Sequence, residues 1–321
     1  MKKIIMINLI FKITFFFTFL IISSFYTKVS SANIVVISYE SFNNKDFNIK
    51  TINEHIKILT SKKYFIYSTN NIVNLLNNSE TLPDYSVAII ISSNKKQIVE
   101  SIWSIFSKAS LAFTLFIDPY VINRDKTYMS WDDINKLKNN GIEIGIRSSS
   151  KNIINDIKLY KNKLKIDPSY YLYKEGIWSE KAIKILNNNN IKIAFTDNSG
   201  PISKNMEKYK LSRFNVAGKF SGVERFKTVL DTLPLELTDI LPHGNTILNN
   251  PPLYGFTLID EQHIPQCYTS NKNKADVTLI NKNRVEVRTK VFLGTKARIN
   301  CVSKNANNRL LWHGSLYWIS K

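Results

Sequence analysis

Three apolar runs set the pattern of the chain. Residues 86–94 read Ser-Val-Ala-Ile-Ile-Ile-Ser-Ser-Asn, residues 111–118 read Leu-Ala-Phe-Thr-Leu-Phe-Ile-Asp, and residues 141–151 open on Gly-Ile-Glu-Ile-Gly-Ile. Short continuous apolar runs, spaced by segments of helical period, predict buried parallel strands with crossover helices. Lys96–Lys108 places Ile98, Ile102, Ile105 and Phe106 on one side and predicts the first such helix. Ser130 with Asp133 three residues on is a capping-box spacing that opens the second, and Asn140-Gly141 closes it.

The pattern extends both ways. Residues 33–39 and 64–67 read as short strands, and residues 51–62 as a helix with Ile52, Ile56 and Leu59 on its apolar face, Thr51 as its cap and His55 on an exposed side. Ser68 or Thr69 caps a further helix through Leu76. Ile153–Leu164 and residues 179–188 are helical, Tyr170–Tyr173 and residues 191–196 are strands, and residues 218–233 carry a last helix. Past residue 241 the period changes to two. Residues 255–259, Gln266–Thr269, residues 275–280, 284–292 and 297–302, and Leu310–Ile319 predict a small antiparallel β module, with Pro242, Pro251 and Pro252 at the boundary. The organisation read from this is 1–32, 33–240 and 241–321.

The first 32 residues are read as a targeting segment. Lys2 and Lys3 precede an apolar core over residues 13–22, and Ser30-Ser31-Ala32 offers small residues for cleavage. The expectation is export to the periplasm or the extracellular side. The same segment, if uncleaved, would be an inner-membrane anchor and the only contact with a membrane. Net charge is +19, and removing the four lysines of the leader leaves +15 on the remainder. The charge has two readings: a compositional one, with lysines scattered through an Asn- and Ile-rich chain, and a sharper one, affinity for acidic partners such as anionic glycans, a membrane surface or nucleic acid; the lack of a dense basic stripe argues against the last. Cys267 and Cys301 are the two cysteines, both on strand-like segments; in an exported chain they form a disulfide or stay as two buried thiols.

The order and spacing of these segments resemble the polysaccharide deacetylase, or NodB-homology, family over about residues 34–216. Residues 111–117 resemble its Pro-Ala-Thr-Phe-Phe-Val strand, residues 131–145 its Leu…Gly-His-Glu-Ile-Gly segment, and residues 211–216 (Leu-Ser-Arg-Phe-Asn-Val) an arginine-bearing strand. The resemblance implies an α/β fold, a distorted (β/α) barrel followed here by the small antiparallel β module. It also implies a hydrolase that removes acetyl groups from N-acetylated sugars, with a divalent metal such as zinc held by a carboxylate and two imidazoles and a second carboxylate as base.

The positions that would carry this chemistry hold other residues. The paired aspartates fall on Ser92 and Ser93, the two histidines on Arg147 and Lys151, and the Pro-Tyr-Gly loop reads Tyr173-Lys174-Glu175-Gly176. Two fixed positive charges repel a metal ion by on the order of several kcal/mol in a poorly solvated pocket. No metal cofactor and no intact catalytic set are expected. The expected role is a glycan-binding or assembly factor at the cell envelope, with Arg147, Lys151, Lys174 and Glu175 meeting an acidic or phosphorylated glycan. Other readings stand beside it: a structural ion network in which Glu40 and Glu175 pair with these bases, a deacetylase acting on carbon–nitrogen bonds or another glycan hydrolase with an unconventional site, and a purely structural or interaction protein held by its β module. The aromatics Tyr254, Phe256, Tyr268, Trp312, Tyr317 and Trp318 are either module core or a stacking surface for sugars.

Overall fold

The computed structural model describes residues 33–40, 48–77, 81–149, 152–259, 264–270 and 273–320; the leader, Lys151 and His263 lie outside them. The first part alternates β1 (Asn33–Glu40), α1 (Ile49–Leu59), β2 (Phe65–Tyr67), α2 (Thr69–Leu76), β3 (Ser86–Ser92), α3 (Lys96–Lys108), β4 (Thr114–Ile117), α4 (Trp131–Asn139), β5 (Glu143–Ser148), α5 (Ile153–Leu164), β6 (Tyr170–Tyr173), α6 (Glu180–Asn188) and β7 (Ile193–Phe195). The short β8 (Ile202–Ser203) and β9 (Phe214–Asn215) and the helix α7 (Val223–Leu230) follow.

These strands form a distorted (β/α) barrel. Among the described residues the order is β7-β6-β5-β4-β3-β1-β8, parallel except for β8. β3 is the axis. Its one edge takes β1 from Val87 to Ser92; its other edge is shared, with β2 on Ser86–Ala88 and β4 on Ile90–Ser92. The segment around β9 bridges the remaining gap: Leu211 bridges to Phe195 of β7, while Phe214 and Asn215 pair with Ile37 and Ser38 of β1.

Register separates two faces. Glu40, Ser92, Phe116 and Gly145 are cross-strand partners and share one face. Phe116 meets the ring of Phe195, 5.8 Å away, although β4 and β7 are three places apart in the sheet, so this face is the barrel interior. Gly145 is required there: a Cβ would stand 2.5 Å from the Phe116 ring. The opposite face, with Ile37, Ile89, Ile91, Leu115 and Ile146, packs under the helices.

The predicted elements hold in type and mostly in extent. Ser130 caps α4 with a full capping box, Ser179 caps α6, and Asn140 and Gly141 (φ +83°) end α4. Three expectations are corrected. α1 starts two residues earlier than read and is capped by Asn48, whose side chain accepts from the backbone of Lys50 and Thr51. His55 is fully buried rather than exposed: its ring stacks on Phe226 at 3.7 Å, Nδ1 lies 3.1 Å from the Tyr39 hydroxyl, and Nε2 donates to the Ser221 carbonyl at 2.9 Å. Burial holds its pKa below the ordinary value, against the Ser221 carbonyl and Glu54. The packing of α7 against α1, which joins residues far apart in sequence, is the reason helical period misplaced this histidine.

The C-terminal part forms two sheets, one antiparallel throughout and one antiparallel except where β10 and β12 run parallel to β18. β10 (Leu233–Pro234), β11 (Leu237–Leu241) and β12 (Thr246–Ile247) precede β13 (Tyr254–Leu258), β14 (Gln266–Thr269), β15 (Asp276–Ile280), β16 (Arg284–Arg288), β17 (Lys296–Lys304) and β18 (Leu310–Ile319). One sheet runs β10-β18-β17-β14 with β12 on β18; the other runs β11-β13-β16-β15. The first three strands escape a reading by alternation because they are two to five residues long and only Ile247 among their residues is buried. Phe256, Val285, Ile299 and Cys301 lie fully buried between the sheets. Cys267 and Cys301 are register partners on β14 and β17 and are joined by a disulfide with Cα atoms 4.0 Å apart. Of the six aromatics, Tyr254, Phe256 and Tyr317 are core. Trp312 and Trp318 face the barrel: the Trp312 indole donates to Ser199 Oγ at 3.1 Å and the Trp318 indole to the Glu175 carbonyl at 3.1 Å. Ser199 and Gly314 exchange both backbone hydrogen bonds at this junction.

Candidate functional site

In parallel α/β folds the carboxyl ends of the strands carry function. Register and alternation place Glu40, Ser92, Asp118, Arg147 and Asp197 there, each on the line of an interior residue of its strand. Ser92 is buried on the interior face; Ser93 is turned away from it and accepts from the Lys95 backbone at 3.2 Å, a local turn bond. Arg147 shares its face of β5 with Gly145. It is half-buried and, among the described residues, has no hydrogen bond or ion pair. Lys174 and Glu175 sit in the turn after β6 and are exposed. Lys151 is outside the described residues. The structure thus brings Ser92 and Arg147 to one mouth and sets Ser93 apart from them.

Among the described residues, Glu40 and Glu175 do not pair with Arg147 or Lys174 as the ion-network reading expected. Glu40 is bound by Arg213, with Nη1 to Oε1 at 2.5 Å, and Glu175 lies 3.8 Å from Lys296 of the β module. Arg213 is a buried hub. It also pairs with Asp197, and donates from Nε to the Thr196 carbonyl and from Nη1 to Ser38 Oγ, both at 2.8 Å. Burial alone would lower its pKa; the carboxylates of Glu40 and Asp197 more than offset that and leave it raised. Arg213 therefore ties β1, β7 and the β9 segment together at the seam of the barrel. The sequence marked this arginine only as part of a strand; its two acids are 16 and 173 residues away, beyond any local pattern.

Sequence reasoning passed over another acid. Asp156, in the first turn of α5, is buried, receives the Ser148 hydroxyl and has an Oδ1 with no hydrogen-bond partner among the described residues. Burial pushes its pKa up to about 6, with Asp118 adding to the rise and Ser148 and Lys174 opposing it. Its only sequence signal is a carboxylate on the apolar face of an amphipathic helix, and that is weak.

Among the described residues, those at the positions expected to hold a metal do not fit a divalent cation, and Asp118, which accepts from the Tyr120 backbone at 3.1 Å, is the one carboxylate of the set at the strand ends not bound by Arg213. A lone hydroxyl at Ser92 is a poor ligand, Arg147 cannot coordinate, and Glu40 and Asp197 are committed to Arg213. Among the described residues no group of three or more His, Cys, Asp or Glu side chains is placed to hold a metal ion. His313 is on β18 beside Ser315, with burial pulling its pKa down to about 4, and His243 is exposed on the loop before β12.

No protein-family model and no curated protein sequence matches the chain. Solved structures do resemble it. The Streptococcus pyogenes deacetylase PplD in complex with acetate superposes with a TM-score of 0.54 at 11% identity, covering 63% of this chain and 99% of that one. A de-N-acetylase from Aggregatibacter actinomycetemcomitans gives 0.52 at 12% identity, covering 60% and 99%. BC0361, a polysaccharide deacetylase from Bacillus cereus, gives 0.51 at 13%, covering 62% and 69%. At such identities the likeness establishes the fold: the chain has the barrel of the polysaccharide deacetylases.

Proposed function

We propose that this chain is an exported protein of cell-envelope carbohydrate metabolism. In this reading it holds an acidic glycan at the mouth of a polysaccharide deacetylase-type barrel and does not carry out metal-dependent deacetylation. The observation that carries the reading is Arg147. A half-buried guanidinium on the interior line of β5, with no ion pair among the described residues, replaces a ligand to a cation with a receptor for an anion. Ser92 supports it by offering a neutral hydroxyl beside the site, and Lys174 adds a second cation at its rim. Export rests on the leader-like residues 1–32 and agrees with the disulfide between Cys267 and Cys301. No helix among the described residues is long and apolar enough to cross a membrane.

The test is calorimetric titration of the purified protein with uronic acid oligosaccharides and with neutral chitooligosaccharides, together with acetate release after zinc or cobalt is added. Binding of the acidic oligomers that falls about tenfold or more in Arg147→Ala is expected. Catalytic release of acetate would replace this reading by that of an active deacetylase with an unconventional site, and equal binding to wild type and Arg147→Ala would remove the role of the mouth.

A further inference from the structure

A charged cavity lies where the barrel seam meets the β module. Its volume is about 210 Å³, and its charged lining is Arg213, Arg225 and Arg298 against Glu40 and Asp197. Three chain segments build it. Arg213 comes from the strand that closes the barrel, Arg225 from α7, and Arg298 from β17. On β17 the residues alternate: Ala297, Ile299, Cys301 and Ser303 are buried in the module, while Arg298 and Asn300 are on the face turned to the barrel. Asn300 is held there by the Ser199 hydroxyl, which donates to its Oδ1 at 2.8 Å.

The three guanidiniums are not equivalent. Both carboxylates are taken by Arg213. Arg225 donates from Nη1 to the carbonyls of Asn215 and Phe220 at 2.9 and 3.0 Å and lies over the Phe220 ring. Those bonds position the guanidinium without neutralising it. The Arg298 guanidinium, half-buried, has neither a hydrogen bond nor an ion pair among the described residues. The cavity thus has one positive charge in excess, in a place where water screens poorly. Burial lowers the pKa of Arg225, and Arg298 lowers it further; burial also lowers that of Arg298, where Asp197 and Arg213 act in opposite directions.

We infer that this cavity is a binding site for a compact oxyanion, held between the guanidiniums of Arg298 and Arg225 with the amide of Asn300 beside them. The chemical class is a carboxylate, sulfate or phosphate group, either free or as the acidic substituent of a sugar. Guanidinium forks match planar and tetrahedral oxyanions, and an anion here removes the repulsion between the two cations. The cavity is smaller than the ~300 Å³ lower end of drug-sized sites, which suits an anionic group with at most one sugar ring. Phe220, 38% exposed at its edge, offers that ring an apolar face. The inference does not rest on the reading of the barrel mouth: a free oxyanion satisfies it, and Arg147 is not in the lining.

The experiment is thermal unfolding and calorimetry of the purified protein with sodium sulfate, phosphate and glucuronate, against sodium chloride at matched ionic strength and N-acetylglucosamine as a neutral arm. The oxyanions are expected to raise Tm above the chloride control while the neutral sugar does not. A response to glucuronate alone identifies the carboxylate source, and a response to sulfate or phosphate alone the tetrahedral one. Arg298→Met removes an uncompensated charge and no described bond of its side chain; it is expected to raise the Tm of the ligand-free protein and weaken oxyanion binding about tenfold or more. Arg288→Gln, the same loss of charge at an exposed position, is the control expected to keep the response. The inference is overturned if no oxyanion exceeds chloride, if N-acetylglucosamine acts equally, or if Arg298→Met and Arg288→Gln bind alike.

Discussion

Arg213→Met isolates the electrostatics of the barrel seam. The side chain is 3% exposed, and those of its partners Glu40 and Asp197 are 16% and 20% exposed. Methionine fills a similar volume with an unbranched apolar chain, so cavity formation contributes little. What is lost is one cation between two carboxylates, together with the bonds to Thr196 and Ser38. Removing one partner from a buried pair costs about 3–5 kcal/mol, because the charges left behind are desolvated and unpaired. Here two acids are left, and they repel each other. The expected loss is therefore in that range, and for a chain of this size it corresponds to roughly 6–15 °C in Tm. The assay is urea unfolding followed by circular dichroism at pH 7.5, with the triple variant Arg213→Met, Glu40→Gln, Asp197→Asn beside it. Taking out all three charges should recover most of the loss, since the penalty belongs to the orphaned acids rather than to the missing bonds. A loss below about 1 kcal/mol in the single variant would refute the reasoning, and so would a triple variant no more stable than the single one.

Asp156 predicts a pH dependence of definite sign. Its folded pKa of about 6 lies above the ordinary value, so the folded state binds the proton more tightly and stability falls as pH rises from about 4 to about 6. The difference amounts to about 3 kcal/mol. Asp156→Asn keeps an acceptor for Ser148 and should be more stable than wild type by that order at pH 8; equal slopes for the two proteins between pH 4 and 6 would contradict it. Gly314→Ala places a methyl group against Ser199 Oγ and Asn300 Oδ1 at the junction of β18 with the barrel. Overpacking there should cost about 1–3 kcal/mol and weaken the barrel–module contact; an increase in proteolysis after β7 reads this out, and a wild-type cleavage pattern would count against it.

The fold was legible because its strands are buried on both faces. Continuous runs such as Val87–Ile91 and the helical stripes between them have one solution in a parallel sheet, and caps at Ser130 and Ser179 fix where helices begin. The site was legible in part. The ends of β3 and β5 could be located, and hence Ser92 and Arg147, because they follow from strand position alone. What stayed hidden depends on distant partners. Arg213 meets Glu40 only after the barrel closes, His55 is covered by a helix more than 160 residues away, and Arg298 reaches the seam only when β17 docks. The strands β10 to β12 were missed for a related reason: they are short, and pairing with β18 and β13, not alternation, makes them strands.

The arginines of the barrel and its seam divide by what surrounds them, and the division bears on function more than their number does. Arg213 is almost wholly buried, and two carboxylates, a carbonyl and a hydroxyl meet it; its energy is spent inside the fold. Arg147 and Arg298 are half-buried and have no such partners among the described residues. A guanidinium in that position costs desolvation without internal return, so each weakens the unliganded protein and gains most from an external anion. A neutral or cationic ligand recovers none of that cost. The same residue type thus acts as a structural tie at the seam and, in the proposals above, as a receptor at the barrel mouth and in the seam cavity, and the test is directional: Arg213 variants should lose stability with or without anions, while Arg298 variants should gain it only when anions are absent.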